Sequence, residues 1–344
     1  MNKENLLGKT LSELKDICKT LAIPNYIALQ MCDWLYKKYC SSINEMTNIS
    51  LKNRDLLKSV YTIDARTPVD SQISLDGTKK YLYSVDNDCF VESVYIPDKE
   101  RATLCISSQV GCKMNCLFCM TGKQGFQKNL SSGEIINQIQ SLPEFESLTN
   151  IVFMGMGEPF DNLEEVMKTC EILTSDWGYG WSPRRITVST IGVIPKMKRF
   201  LEESDCHLAV SLHATTDETR LKLMPLQKMY PMKKIFQLLE QYNWDGQRRL
   251  SFEYIMFKGI NDSIDDARRL AKLLCRLKCR VNLIRFHAID GVSLESSDLK
   301  IMEIFRGYLT EKGIVTTIRA SRGEDILAAC GMLSSQKQLA EKEN

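Results

Sequence analysis

The chain has 344 residues, 44% hydrophobic and 26% charged, which is the balance of a globular protein and excludes a disordered, fibrous or collagenous one. Forty-five Lys and Arg stand against 43 Asp and Glu, a formal net charge of +2, so any nucleic-acid surface has to be local rather than a property of the whole chain. Such a length fits one large domain with a smaller companion. The unusual entry in the composition is thirteen cysteines against three histidines.

Residues Met1 to Lys15 carry acids at Glu4 and Glu13 and show no apolar signal-type segment. No run approaches the roughly 18 apolar residues of a membrane helix. These features predict a cytoplasmic protein with no membrane partner, in which most cysteines are reduced and packed as small hydrophobes.

In chain order, apolar spacing predicts helices through Leu11–Leu21, Ile27–Leu35 and Leu51–Val60. From Ser71 the period changes to two, predicting short strands at Ser71–Leu75, Lys80–Val85 and Phe90–Ile96, with Asp76-Gly77 as a turn. After Arg101, β-branched runs alternate with amphipathic segments. The expected strands are Thr103–Ser107, Asn150–Met154, Arg185–Ser189, His207–Ser211, Leu250–Met256 and Arg280–Arg285. The intervening helices are expected near Ser132–Ser141, Leu163–Leu173, Ile194–Glu202, Met232–Tyr242, Ile264–Leu277 and Glu295–Lys312, and a last strand at Ile314–Arg319. Six strand-helix repeats predict an α/β fold, a parallel sheet curled into a partial (β/α)6 barrel, short of the eight repeats of a closed one. The expected divisions are a helical accessory domain over 1–70, a β-rich connecting segment over 71–100, the barrel core over 101–333 and a polar tail over 334–344.

Cys112-x3-Cys116-x2-Cys119 follows the first barrel strand directly, at the carboxyl end where parallel-sheet proteins place their chemistry. Three thiolates so close can hold three irons of a 4Fe-4S cluster and leave the fourth open. A structural zinc site, the competing reading, normally needs four closed ligands, and no second C-x2-C pair is present. Gly155-Met156-Gly157-Glu158-Pro159 ends the second strand; alone it reads as a tight turn, beside a cluster motif as a place where backbone and carboxylate meet a ligand. Ser189 and Ser211-Leu212-His213 end the third and fourth strands, although His213 alone would read as a packed or capping histidine.

The cysteine spacing, with Phe118 before the third cysteine, resembles the radical S-adenosylmethionine superfamily. The likeness extends through Thr103-Leu104-Cys105, Ser107-Ser108-Gln109-Val110-Gly111-Cys112, Phe153 to Pro159, Ser211 to Ala214, Arg322-Gly323-Glu324-Asp325-Ile326 and Ala328-Ala329-Cys330-Gly331. These blocks resemble the RlmN and Cfr family of RNA adenine methyltransferases over roughly Glu92 to Leu333. Pro159 and Arg322-Gly323 resemble the RlmN branch, which methylates adenine C2 rather than C8.

The resemblance implies one [4Fe-4S] cluster on Cys112, Cys116 and Cys119 and two S-adenosylmethionine molecules per turnover. It implies that Cys330 carries the methyl group as S-methylcysteine, that Cys105 resolves the protein-RNA adduct through a transient disulfide with Cys330, and that Glu92 accepts the C2 proton. S-adenosylmethionine contacts map to Gly157, Glu158, Ser189, Ser211, Leu212 and His213. The family usually has asparagine before proline after the sixth strand; this chain has Arg285-Phe286-His287-Ala288, and His287 stands in that place. The implied partners are 23S rRNA at the peptidyl-transferase centre, tRNA at the adenine 3′ of the anticodon, and an electron donor such as flavodoxin or ferredoxin, with the enzyme a monomer and residues 1–70 binding RNA. The basic groups Arg184-Arg185, Lys196 with Lys198-Arg199, Arg248-Arg249 and Arg319 with Arg322 are candidate RNA contacts, although such groups are commonly solvated faces. Two other readings stay open: C8 methylation of the same base, and a non-catalytic zinc-bearing RNA-binding protein. Cys18, Cys32, Cys40, Cys89, Cys170, Cys206, Cys275 and Cys279 are expected to be buried packing residues.

Overall fold

A computed structural model describes residues 3–85 and 89–335; most of the expected polar tail, 336–344, lies outside the described residues. The N-terminal part contains β1 (Glu4–Asn5), α1 (Leu11–Thr20), α2 (Ile27–Tyr36), α3 (Leu51–Val60) and β2 (Tyr61–Thr62). Helix α1 starts where Thr10 and Glu13 cap each other's backbone reciprocally. Its inward face, Leu14, Ile17 and Cys18, packs with Ala28, Met31, Cys32 and Leu35 of α2 in one buried core. Strand β2 pairs in parallel with β1, which returns the chain to its start.

Three antiparallel strands follow, β3 (Asp70–Ile73), β4 (Lys79–Ser84) and β5 (Phe90–Asp98), then β6 (Arg101–Cys105), the short β7 (Gln109–Val110), α4 (Met120–Gln124), β8 (Lys128–Asn129) and α5 (Ser132–Gln140). The repeats continue with β9 (Asn150–Phe153), α6 (Leu163–Thr174), β10 (Ile186–Thr190), α7 (Ile194–Glu203), β11 (His207–Ser211), α8 (Asp217–Leu223), α9 (Met232–Leu239), β12 (Leu250–Met256), α10 (Ile264–Leu274), β13 (Arg280–Arg285), α11 (Leu299–Glu311) and β14 (Val315–Ile318). Strands β6 and β9 to β14 pair in parallel and in sequence order. The expected connecting segment is part of the same sheet, because β5 pairs antiparallel with β6 and the ten-stranded order runs from β14 to β3. No ladder joins β14 to β3 among the described residues, so the barrel is open on that side.

Each parallel strand is buried on its outer face by apolar residues, such as Ile151 and Phe153 of β9, while alternate positions turn inward. The N-terminal part docks on α5 and α6. There a Cβ on Gly133 would stand 2.4 Å from the Leu7 carbonyl oxygen, so only glycine permits the approach, and Ser132 Oγ donates to Gly8 O at 2.8 Å. Lys168 on α6 pairs with Glu13 at 2.8 Å.

After β14 the chain crosses the open side. Arg322 reaches Asp98 at 3.5 Å, Gly323 N donates to Asp76 at 3.1 Å, and Asp325 accepts from Ser74 Oγ and Leu75 N. It then climbs to the upper ends of the strands, where Ser334 N donates to Glu92 and Ser335 Oγ to Phe90 O. Ser334 and Ser335, expected as the start of a frayed tail, are therefore buried and bonded. Helix α11 begins at Leu299 instead of Glu295, because Ser296 makes a β-bridge with Phe257. None of the helices among the described residues is long and apolar enough to cross a membrane.

Candidate active site

Cys112, Cys116 and Cys119 lie on the turn between β7 and α4. Gly111 and Asn115 take positive φ there, which curls the loop on itself, and Cys119 N donates to Cys116 O at 3.2 Å. Cys112 and Cys116 are buried and Cys119 half-buried, all three unpaired thiols. Burial pushes the Cys112 thiol up to about 12; burial and then the neighbouring Cys119 and Cys112 push Cys116 up further. The three sulfurs thus lie within electrostatic reach of one another on a single loop, the donor set of a cluster with one open iron. Among the described residues no group of three or more His, Cys, Asp or Glu side chains, these three cysteines included, is closed up around the position of a single metal ion.

The loop is clamped from both sides. Leu117 N donates to Leu223 O on α8 at 2.9 Å, and Met120 N to Gly331 O at 2.8 Å. Phe118 stacks edge-on to His213, centroids 4.9 Å apart. His213, at φ +53°, accepts from Ile255 N through Nδ1 at 3.0 Å, and burial followed by the Arg220 charge lowers it to about 3, so it is neutral. Arg220 itself escaped sequence reading because nothing local marks it. It is fully buried, donating to Leu212 O, Ile191 O, Ser211 O and Gln227, and it tethers the ends of β10 and β11 beside Cys116.

The glycine-rich strand end after β9 packs as a close turn. A Cβ on Gly157, at φ +98°, would meet Gln109 Cβ at 2.6 Å, and Glu158 N donates to Gln109 Oε1 at 2.9 Å. Glu158 is buried, and its carboxylate accepts from Thr190 Oγ1 at 2.6 Å, Ile191 N at 3.0 Å and Phe160 N at 3.1 Å. Burial raises it to about 7, against the pull of those donors. A carboxylate offers about four acceptor directions, so one remains for an ammonium. Ser189 and Ser211 sit at inward positions of β10 and β11, and Leu212 is fully buried. His287, on the loop after β13, is buried with Nδ1 3.2 Å from Glu324 Oε1 but without hydrogen-bond geometry. That loop meets the cysteine loop where Lys123 donates to Asp290 O.

Cys105 ends β6 facing inward, and Cys330 lies within its electrostatic reach; burial and then Cys330 push the Cys105 thiol up. Cys330 is solvent-accessible, yet protein on all sides, then Glu253, raise its thiol, while Arg319 opposes. Gly331, next in sequence, stands against Phe118 and Cys119. Glu92 is buried near this pair, 3.2 Å from the equally buried Lys80 Nζ, and accepts from Ser334 N at 3.0 Å. Lys80 and Glu253 are further site residues that the sequence did not single out; a strand lysine and a strand glutamate carry no motif. Glu253 accepts from Asn282 at 2.8 Å and Ser251 at 3.1 Å, and burial raises its carboxyl while Arg319 opposes.

Of the eight cysteines expected as packing residues, Cys18, Cys32, Cys40, Cys170 and Cys206 are buried, but Cys275 is exposed and Cys89 and Cys279 are half-buried. Cys275 caps the end of α10, where the helix face has already turned outward. A depression of about 410 Å³, lined by Asn129, Asp161, Glu164 and Lys196 among others, contains the candidate RNA contact Lys196 but none of the expected cluster, cofactor or catalytic residues.

A cysteine-bearing loop at the carboxyl ends of an open parallel barrel defines a radical S-adenosylmethionine enzyme, and residues 106–273 match the Radical SAM superfamily. Residues 4–63 match the Ribosomal RNA large subunit methyltransferase N-terminal domain. The chain is 60% identical to the probable dual-specificity RNA methyltransferase RlmN of Parabacteroides distasonis, over 98% of this chain and 99% of that one. It is 41% identical to the dual-specificity RNA methyltransferase RlmN of Geobacter sulfurreducens, over 96% and 92%. A crystal structure of a radical SAM methyltransferase from Sphaerobacter thermophilus is similar with TM-score 0.89 and 36% identity, covering 96% of this chain and 99% of that one. The chain belongs to the RlmN family of radical SAM RNA methyltransferases.

Proposed function

We propose that this enzyme methylates C2 of an adenine in 23S rRNA at the peptidyl-transferase centre, and of the adenine 3′ of the anticodon in tRNA, by way of a methyl group carried on Cys330. The observation that carries this reading is the gathering of Cys105, Cys330, Cys119 and Glu92 at the upper end of one barrel. When bound on Cys112, Cys116 and Cys119, one [4Fe-4S] cluster supplies the electron that cleaves S-adenosylmethionine, two molecules of which are used per methyl transferred.

The remaining work belongs to the chain. Gly157, Glu158, Ser189, Ser211, Leu212 and His213 line the strand ends that receive S-adenosylmethionine, with His287 in the least conventional place. Cys105 is buried and Cys330 exposed; the protein around them raises both thiols, so both are protonated at neutral pH, the less reactive state. Cys330 presents its methyl carbon to adenine C2; that carbon loses one hydrogen atom to the 5′-deoxyadenosyl group of a cleaved S-adenosylmethionine and bonds to C2, which tethers the RNA. As the adduct gives up one electron, which the oxidised cluster would take back, Glu92, held by Lys80, takes the C2 proton. Cys105 then gives up its proton and attacks the Cys330 sulfur, forming a disulfide as the sulfur-carbon bond breaks; the released carbon takes a proton to become the C2 methyl group, and a thiol reductant restores the pair. A flavodoxin or ferredoxin supplies the electron, and the enzyme works as a monomer in the cytoplasm.

Mass spectrometry of nucleosides from 23S rRNA and tRNA treated with reconstituted enzyme, S-adenosylmethionine and reductant tests this. The expected product is 2-methyladenosine in both RNAs. Production of 8-methyladenosine instead would move the enzyme to the C8 branch, and unmodified adenosine would overturn the reading.

A further inference from the structure

Strand alternation sorts the interior of the barrel into layers. Arg101, Thr103 and Cys105 share the inner face of β6; Arg249, Ser251 and Glu253 form the corresponding column at β12; Arg280 and Asn282 form that of β13. The hydrogen bond from Asn282 to Glu253 puts the last two columns on one face, and the field of Glu253 at Cys330 makes that face the inner one. Arg101, Arg249 and Arg280 therefore ring the lower mouth, at the amino ends of the strands. At about 3.3 Å per residue, Arg101 lies roughly 13 Å below Cys105. Arg319 stands between the layers, since its charge acts on Arg249 below and on Glu253 and Cys330 above.

These guanidiniums are exposed and, among the described residues, not ion-paired; the neighbouring pairs are Arg248 with Asp205 and Arg322 with Asp98. Arg101 donates only to Asn150, at 3.0 Å. Their field is registered by burial-assisted shifts. Arg249 is lowered by burial, then by Arg280, Arg101 and Arg319, and His207 beside it is lowered to about 4 by burial and by Arg249, Arg184, Arg280 and Arg248. Like charges held together without counter-ions cost stability, which a bound polyanion recovers.

The upper end is covered. Met120 N donates to Gly331 O, Thr121 to Leu333 O, Lys123 to Asp290 O and Ser334 N to Glu92. Cys330 is nevertheless exposed, and the inner face of the barrel below it carries small polar positions such as Thr103, Ser251 and Asn282.

We propose that RNA approaches through this lower mouth, with Arg101, Arg249 and Arg280 gripping the phosphates that flank the target nucleotide while its base turns upward past Arg319 toward Cys330. Guanidinium forks match phosphate oxygens in pairs, and a single nucleotide strand is thin enough to use a barrel mouth. An acidic reductase has less reason to dock there, because the mouth lies a strand length from the cysteine loop. The direction of approach rests on Cys330 being the group that meets the base; the binding measurement does not.

The test is the affinity of the full, cluster-loaded chain for a tRNA transcript at several KCl concentrations, read by fluorescence anisotropy without turnover. Arg101→Gln, Arg249→Gln and Arg280→Gln are compared singly and together, with Arg268→Gln on α10 as the control, where the exposed side chain pairs with Asp265. The combined variant is expected to bind at least about tenfold more weakly near 0.15 M salt, and the slope of log affinity against log salt to fall by about one per arginine. Should the combined variant lose its circular-dichroism signature, Arg280→Gln alone carries the test. Unchanged affinity and slope would overturn the proposal. So would intact RNA binding with impaired reduction by flavodoxin, which would assign the mouth to an acidic protein.

Discussion

The two ends of the barrel solve opposite problems. At the upper end the buried charges are spent on protein partners: Glu158 holds three donors, Glu92 has Lys80, Arg220 has four acceptors, and burial raises the Cys105 thiol. At the lower end, guanidiniums stand in solvent without carboxylates. Chemistry needs groups fixed before the reaction, since reorganisation then costs nothing at the reacting moment. Capture of a polyanion needs unspent charge, which acts at range and releases counter-ions on binding. The contrast predicts that substitutions above change chemistry or stability, while those below change binding and its salt dependence.

The largest effect is expected at the cysteine loop. Cys116→Ala removes one of three ligands, and reconstituted protein should hold less than about a tenth of the parent's iron and sulfide and form no methylated adenosine; retention of both would break the comparison at once. Arg220→Met should cost about 3 kcal/mol in denaturant unfolding, because four acceptors lose a charged donor inside the protein. A change under about 1 kcal/mol would mean that these carbonyls find other partners. Lys80→Met removes the ammonium that pairs with Glu92, and adenine methylation should slow about tenfold while iron and sulfide content stay those of the parent. Lys80→Arg should restore much of the rate, and equal rates for all three proteins would remove the Lys80–Glu92 pair from the reaction.

The smallest effect is expected at His207, in the lower layer. Its folded value, about 4, lies below the ordinary 6.5, so the unfolded chain binds the proton first as pH falls. Folding stability is thus lost between about pH 6.5 and 4, and the melting temperature of His207→Gln should fall less over that window than the parent's. Parallel curves would show that neither burial nor the arginines depress this ring.

The strand-helix alternation was legible because the parallel strands are short apolar runs set between amphipathic segments, and β11, β12 and β13 lie where periodicity put them. The cysteine loop and the glycine-rich strand end were legible as local spacings. Short helices such as α4 and α8 were not, being held by the loops they cap instead of by an amphipathic repeat. The union of β3 to β5 with the barrel depends on the β5–β6 hairpin, where an antiparallel pair turns directly into a parallel one. Lys80 with Glu92 and Arg249 with Arg280 are relationships between strands, and no single segment contains them. The return of the C-terminal segment across the barrel is likewise set by Asp76, Asp98 and Asp325, whose partners lie more than two hundred residues away.

The claim that Cys330 carries the transferred carbon is tested most directly with Cys105→Ala, in which the resolving thiol is gone. Enzyme incubated with RNA, S-adenosylmethionine and reductant, then denatured, digested with nuclease and mapped by peptide mass spectrometry, should carry an adenosine adduct on Cys330. An adduct on any other residue, or one that persists in the Cys105→Ala, Cys330→Ala double variant, would contradict the account.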